Sequence, residues 1–253
     1  MQVPRDSKMP LEWIQKVCTD NPVKKLLDPK TGQFVGNYST GPVRLAWTKG
    51  LVEAQKNDDG KEKYSVTPLV PPGVDLSVLV QAVNECAALN WPENMNNGQF
   101  SWAGLSSPWH DQAEKAATYK GYTPGAFTFN CGTYFKPRIV DINMNDIVDL
   151  DNRLYGGVWA ILAVNVFAYG KIKRPGGKAG KKGISFGLQS TVLIGDDEKF
   201  SGGGLDPKAA FKGIQIDNST NIAAAFNGPI TPPVAPLTGG PSPEDQLRAL
   251  GLL

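Results

Sequence analysis

Residues 158–169, VWAILAVNVFAY, and residues 184–194, ISFGLQSTVLI, are among the most strand-like stretches of the chain. Side chains of a strand alternate between its two faces. In the first stretch Val158, Ala160, Leu162, Val164, Val166 and Ala168 form one wholly aliphatic row, suited to a barrel interior. Trp159, Ile161, Ala163, Asn165, Phe167 and Tyr169 form the opposite row. The two stretches predict a hairpin with aliphatics inward and aromatic rings outward. Base–aromatic stacking contributes roughly 1–3 kcal/mol per base and tolerates any sequence, because every base has a π-face. Trp159, Phe167 and Tyr169 are therefore the leading stacking candidates. The competing reading packs these rings beneath a covering helix or loop.

Between the two stretches lies KIKRPGGKAGKKG, residues 171–183. Its cations are Lys171, Lys173, Arg174, Lys178, Lys181 and Lys182, with no acid among them. The whole chain carries 26 Lys and Arg against 24 Asp and Glu, so the remainder is mildly acidic. That asymmetry says more about partners than the net charge of +2 does. Cations beside phosphates release condensed counterions, which gives affinity without base readout and a steep salt dependence. Glycines let a backbone approach closely. The loop reads as a grip on a polyanion, against the alternative of a solvated hairpin tip.

Outward from the hairpin, residues 1–40 read as an N-terminal extension in which Leu11, Ile14 and Val17 or Cys18 recur at helical spacing. PVRLAWT alternates Val43, Leu45 and Trp47 with Arg44, Ala46 and Thr48, the signature of a strand. KYSVTPLVPP is a second extended run, and Pro68 within it predicts a sheet edge or a bulge. An internal helix follows, with Leu76, Leu79, Val80, Val83 and Ala87 on one face. Residues 92–124 form a long Gly-, Asn-, Ser- and Trp-rich connection, and such connections are usually functional or flexible. Beyond residue 217, GPITPPVAPLTGGPSP reads as an extended linker before the terminal PEDQLRALGLL. Short strands, one internal helix and long loops predict a mainly β fold, a compact barrel or sandwich.

Several function classes are excluded or disfavoured. No apolar run reaches the roughly 18 residues of a membrane span, and the N-terminus lacks a signal-peptide core, so a cytoplasmic protein without membrane contact is expected. Cys18, Cys86 and Cys131 are too scattered for a disulfide framework or a zinc knuckle. His110 is the sole histidine, and no nucleophile elbow accompanies it. DINMNDIVDLDN, residues 141–152, opens like a calcium loop but has Asp146 where the turn needs Gly and Asn152 where the bidentate Glu belongs. SGGGLDPK lacks the GK[ST] of a phosphate cradle. No cofactor, metal or catalytic residue is expected, although plentiful carboxylates leave a Mg-dependent nuclease open.

In order along the chain, PVRLAW, KYSVTPLVPP, SSPWHDQAEK, KGYTPG, KPRIVD, LYGGVWAILAVNVFAY and KKGISFGLQ resemble a family of phage-encoded single-stranded-DNA-binding proteins with an OB-fold core. The resemblance spans roughly residues 40–215. It implies an OB-fold-like five-stranded barrel over residues 41–217, between the extension of residues 1–40 and a flexible Pro-rich tail over residues 218–253. It further implies sequence-independent coating of single-stranded DNA in phage replication and recombination, in the host cytoplasm, without catalysis. The expected contacts are the six loop cations, the three hairpin aromatics and, secondarily, Trp47, Trp102 and Trp109. The last two occupy the long connection with little apolar company in sequence. The chain ends PSPEDQLRALGLL rather than in an acidic tail with a terminal aromatic. Ser242-Pro243 followed by Leu247 and Leu250 predicts a docking helix for phage or host replication and recombination proteins, or for the barrel itself, against the alternative of a frayed terminus. Different classes stay open beside this reading: a virion structural or assembly protein built on a β-barrel, and the nuclease.

Overall fold

A computed structural model describes residues 8–56, 60–170 and 181–200. The chain enters through helix α1 (Leu11–Asp20), which follows Pro10 and stops where the Asn21 backbone and side chain both donate to the Val17 carbonyl. A short strand, Lys24–Leu27, then pairs antiparallel with the long strand β1 (Phe34–Ala46). The turn joining them is built by Asp28, whose carboxylate accepts the backbone N–H groups of Lys30 and Thr31 at 2.8 Å each.

Four more strands complete a ring: β2 (Glu62–Leu69), β3 (Cys131–Thr133), β4 (Trp159–Tyr169) and β5 (Gly183–Gly195). The order around it is β1–β4–β5–β3–β2, and β2 closes the circuit by pairing Leu45 with Pro68 and Ala46 with Thr67 of the two strands. Every pairing is antiparallel except β5 with β3. Closure leaves no free edge within the ring, which a small β protein needs if it is not to pair with other chains. Pro68 stands where β2 has left β3, whose last pair is Val66 with Cys131, and where Phe127–Thr128 takes over at Leu69. The proline is thus at a change of partner, as its missing N–H requires.

The barrel fills as the alternation predicts. Val158, Ala160, Leu162 and Val164 are buried, and Val166 and Ala168 are half-buried against the same core. Val43, Leu45, Val66, Cys131, Ile184, Phe186 and Leu188 join them from the other strands. Each large aliphatic side chain so buried stabilises the fold by roughly 1.5–3 kcal/mol. The internal helix, α2 (Ser77–Asn90), buries Leu79, Ala82, Val83 and Ala87. Val80, expected on that face, is instead exposed, because Ala82 rather than Val80 turns toward the barrel. Among the described residues no helix is long and apolar enough to cross a membrane.

Candidate nucleic-acid interface

The outward row of β4 meets two different environments. At its start, Trp159 is only 2% exposed. Its indole N–H donates to Asp197 Oδ2 at 2.8 Å, and Trp13 of α1 packs against it edge-on with ring centroids 5.9 Å apart. The same Asp197 carboxylate accepts the backbone N–H of Met9 at 2.8 Å and lies 3.3 Å from Arg44 Nε. Burial pulls the Arg44 guanidinium below its ordinary value, and Asp197, then Glu198, oppose that pull. Trp159 therefore faces outward as expected but is roofed by α1 and residues 196–200. This corrects its reading as a stacking residue: no face is left for a base.

At the far end of the row the strand is bare. Phe167 is 37% exposed and stands opposite Ser185 of β5, while Asn165 stands opposite Gly187. Gly187 pairs in turn with Gly132 of β3, and Gly132 with Ser65 of β2. The register thus lays a lateral strip of small residues across the outside of the barrel. Lys63 of β2 reaches over this strip: a Cβ at Gly132 would stand 2.5 Å from Lys63 Cε and 2.6 Å from the Tyr64 carbonyl oxygen. Only glycine lets the lysine stem lie there. Asn165 accepts a hydrogen bond from Gln189 at 2.9 Å, so the polar edge of the strip is already ordered.

Along the strand direction, both sides of the strip carry groups suited to a charged, aromatic ligand. Between β3 and the next strand, Arg138–Val140, which runs parallel to β5 at residues 190–192, the chain bulges out as Tyr134-Phe135-Lys136. Tyr134 is 58% and Phe135 83% exposed. The basic loop springs from the opposite side, after the closing pair of the hairpin, Tyr169 with Gly183. Lys181 and Lys182 are exposed at its root. Lys171, Lys173, Arg174 and Lys178 lie outside the described residues, as do the Pro-rich tail and its expected docking helix. The root is held by the Trp-rich connection: Ser106 N–H donates to the Lys182 carbonyl at 2.8 Å, and the Ser106 carbonyl accepts from Ile184. Gly183 permits this approach, since a Cβ there would overlap the Ser106 backbone.

The other aromatic candidates divide. Tyr169 is half-buried at the end of β4. Trp102 packs edge-on against Phe100 at 5.2 Å, and Trp109 wedges against Phe129 and Phe186 at 5.5 and 5.3 Å. Their expected lack of apolar company is thus corrected: Trp102 has Phe100 beside it in the same connection, and Trp109 meets Phe129 and, from β5, Phe186, both remote in sequence. Trp47 is 54% exposed, in a left-handed turn at φ 58° that ends β1. That conformation costs a bulky residue of order 1–3 kcal/mol. Its indole N–H donates to the Tyr122 hydroxyl at 3.3 Å, and its ring meets Tyr119 edge-on at 5.4 Å.

Lys63, Tyr134, Phe135, Lys136 and Tyr119 escaped the sequence reading. The run TYFKPR, with two rings followed by Lys136 and Arg138, carried a usable signal of aromatics interleaved with cations. Lys63 carried none. The acidic stretch 141–152 is spent on its own loop: Asp141 accepts from the backbone of Asn143 and Asn145, and Asp146 pairs with Arg138 at 2.7 Å. Among the described residues no three His, Cys, Asp or Glu gather as a metal site.

The fold is similar to that of the single-stranded DNA-binding protein from bacteriophage Enc34. The structure solved with ssDNA aligns at TM-score 0.51 and 17% identity, covering 71% of this chain and 98% of that one. A second structure of that protein aligns at TM-score 0.50 and 16% identity, over 75% of this chain and 98% of that one. No curated protein sequence matches. Residues 37–222, from within β1 onward and including the interface described above, match the family of the Enterobacter phage Enc34 ssDNA-binding protein, and the chain belongs to that family.

Proposed function

We propose that this chain binds single-stranded DNA without reading its sequence and coats it during phage DNA replication and recombination in the host cytoplasm. The observation that carries this reading is the bare half of the β4–β5–β3–β2 face. Its floor is glycine backbone with the Asn165 side chain over Gly187 and the Lys63 stem over Gly132, and exposed rings and cations stand at its margins. Bases would stack on Phe167 and on Tyr134 or Phe135, where any base fits equally. Phosphates would meet Lys63, Lys136, Lys181, Lys182 and the other cations of the basic loop, which supply affinity without base edges being read. Binding without turnover completes the reading, in keeping with a family described by its ssDNA binding.

The test is fluorescence anisotropy of a labelled oligo(dT) and of mixed-sequence strands across a salt series, with Mg²⁺ present. The expected result is similar affinity for all strands and a log–log salt slope of about −0.7 per phosphate contacted. The labelled strand should remain intact throughout. Absence of binding at low salt, or cleavage of the strand, would overturn the proposal.

A further inference from the structure

The strip of small residues does not end at β2. Gly50 backs so closely onto the Ser65 carbonyl that a Cβ there would overlap it, which brings the turn containing Trp47 and Lys49 against the edge of the strip. From Asn165 to Ser65 the strip crosses three strand gaps, about 14 Å at the usual interstrand spacing. A single strand that begins on Phe167 and crosses the glycines therefore arrives at Trp47.

What it meets there is an aromatic shelf. Continued alternation from Val43 and Leu45 would have carried Trp47 into the core. The left-handed turn at φ 58° swings it into solvent instead. Its only polar group already donates to Tyr122, so the exposed part of the ring is π-surface with no hydrogen bond to offer water. Tyr119, 43% exposed, adds a second ring beside it. The shelf is fixed from behind by buried Gln112, which donates to the carbonyls of Val70 and Phe127 and accepts from the Thr123 backbone. Cations border it: Lys49 is exposed, and the Lys115 ammonium lies 6.0 Å from the centre of the Tyr122 ring.

We infer that Trp47 and Tyr119 form a second base-stacking platform, which takes nucleobases of the same single strand after it has crossed the glycine floor. The inference rests on the single-strand-binding reading above and extends it with a site at the other end of the path. A strand held at two aromatic anchors, with its backbone pressed toward Lys63 between them, is bound over a fixed direction and length rather than at one point.

Trp47→Gly and Tyr119→Ala test it, with Phe167→Ala as the comparison. Glycine is at home at positive φ, so Trp47→Gly removes the ring while relieving its backbone, and Tyr119 is exposed enough to truncate without loss of fold. Each should weaken binding of a 30-nucleotide oligo(dT) by about 5- to 150-fold, the equivalent of one lost base stack, with unchanged thermal midpoint. Ultraviolet crosslinking of a halogenated-uridine strand should join DNA to the peptides bearing Trp47 or Tyr119 as well as to that bearing Phe167. If Phe167→Ala weakens binding but the two shelf variants do not, and crosslinks form only at Phe167, the second platform is overturned while single-strand binding stands. If the unaltered protein does not bind the strand at all, both readings fall.

Discussion

Trp159 and Phe167 stand on the same face of one strand, yet one is sealed at 2% exposure and the other open at 37%. The difference lies in what covers them. Trp13 of α1, the Asp197 carboxylate and the Arg44 guanidinium close over the first. The second faces only the small Ser185 across the strand gap. Alternation decides which way a side chain points, and remote segments decide whether anything lies on top. One outer surface is thereby divided into a covered half and an open half, and the open half is the one proposed to bind.

The largest effect should come from crossing that division at the sealed end. Trp159→Ala removes a buried indole and leaves Asp197 without one of its donors, and should cost about 3–5 kcal/mol of stability. Chemical denaturation measures the loss, and affinity for oligo(dT), corrected for the folded fraction, should not change. A Trp159→Ala protein that stays stable but binds DNA poorly would erase the distinction between the two halves.

The open end should behave in the opposite way. Phe167→Ala gives up a cross-strand contact worth below about 1 kcal/mol of stability. It should nevertheless reduce affinity by the equivalent of about 1–3 kcal/mol if one base stacks there. Lys63→Ala should weaken binding alike for all sequences and flatten the salt slope by about 0.7, because a single phosphate contact is lost. A salt titration of the two variants separates stacking from charge: the slope moves for Lys63→Ala and holds for Phe167→Ala.

What the amino-acid order reveals follows the same division. The barrel interior was legible because Val158 to Ala168 and the 79-83-87 face of α2 repeat at the periods of a strand and a helix. The exposed candidates Phe167, Lys181 and Lys182 could be placed together because they belong to one hairpin, whose partners are close in sequence. Lys63 was not, since its importance comes from Gly132, and their strands meet only through tertiary pairing. Strand β3 itself is only three residues long, and its place between β5 and β2 is set by tertiary pairing. Trp159 was misassigned because its roof is α1, far away in the chain. Trp47 and Tyr119 were separated in the same way, and the left-handed turn that exposes Trp47 breaks the alternation that would have placed it inside.

The cysteines sharpen the comparison with the smallest expected change. Cys131 sits on the interior side of β3, directly before Gly132 on its outer side, and burial pushes its thiol up to about 12, with Lys63 pulling weakly the other way. Alkylation requires the thiolate. At pH 8 Cys131 should therefore resist iodoacetamide until the barrel unfolds. Cys18, on α1 at the roofed end, is half-exposed, and partial burial raises its thiol as well. It should react slowly in the native protein, faster than Cys131, with a rate that saturating oligo(dT) leaves unchanged. Mass spectrometry of timed labelling reads both rates. Protection of Cys18 by DNA would mean that the strand passes over α1, and that the roofed half belongs to the binding surface after all.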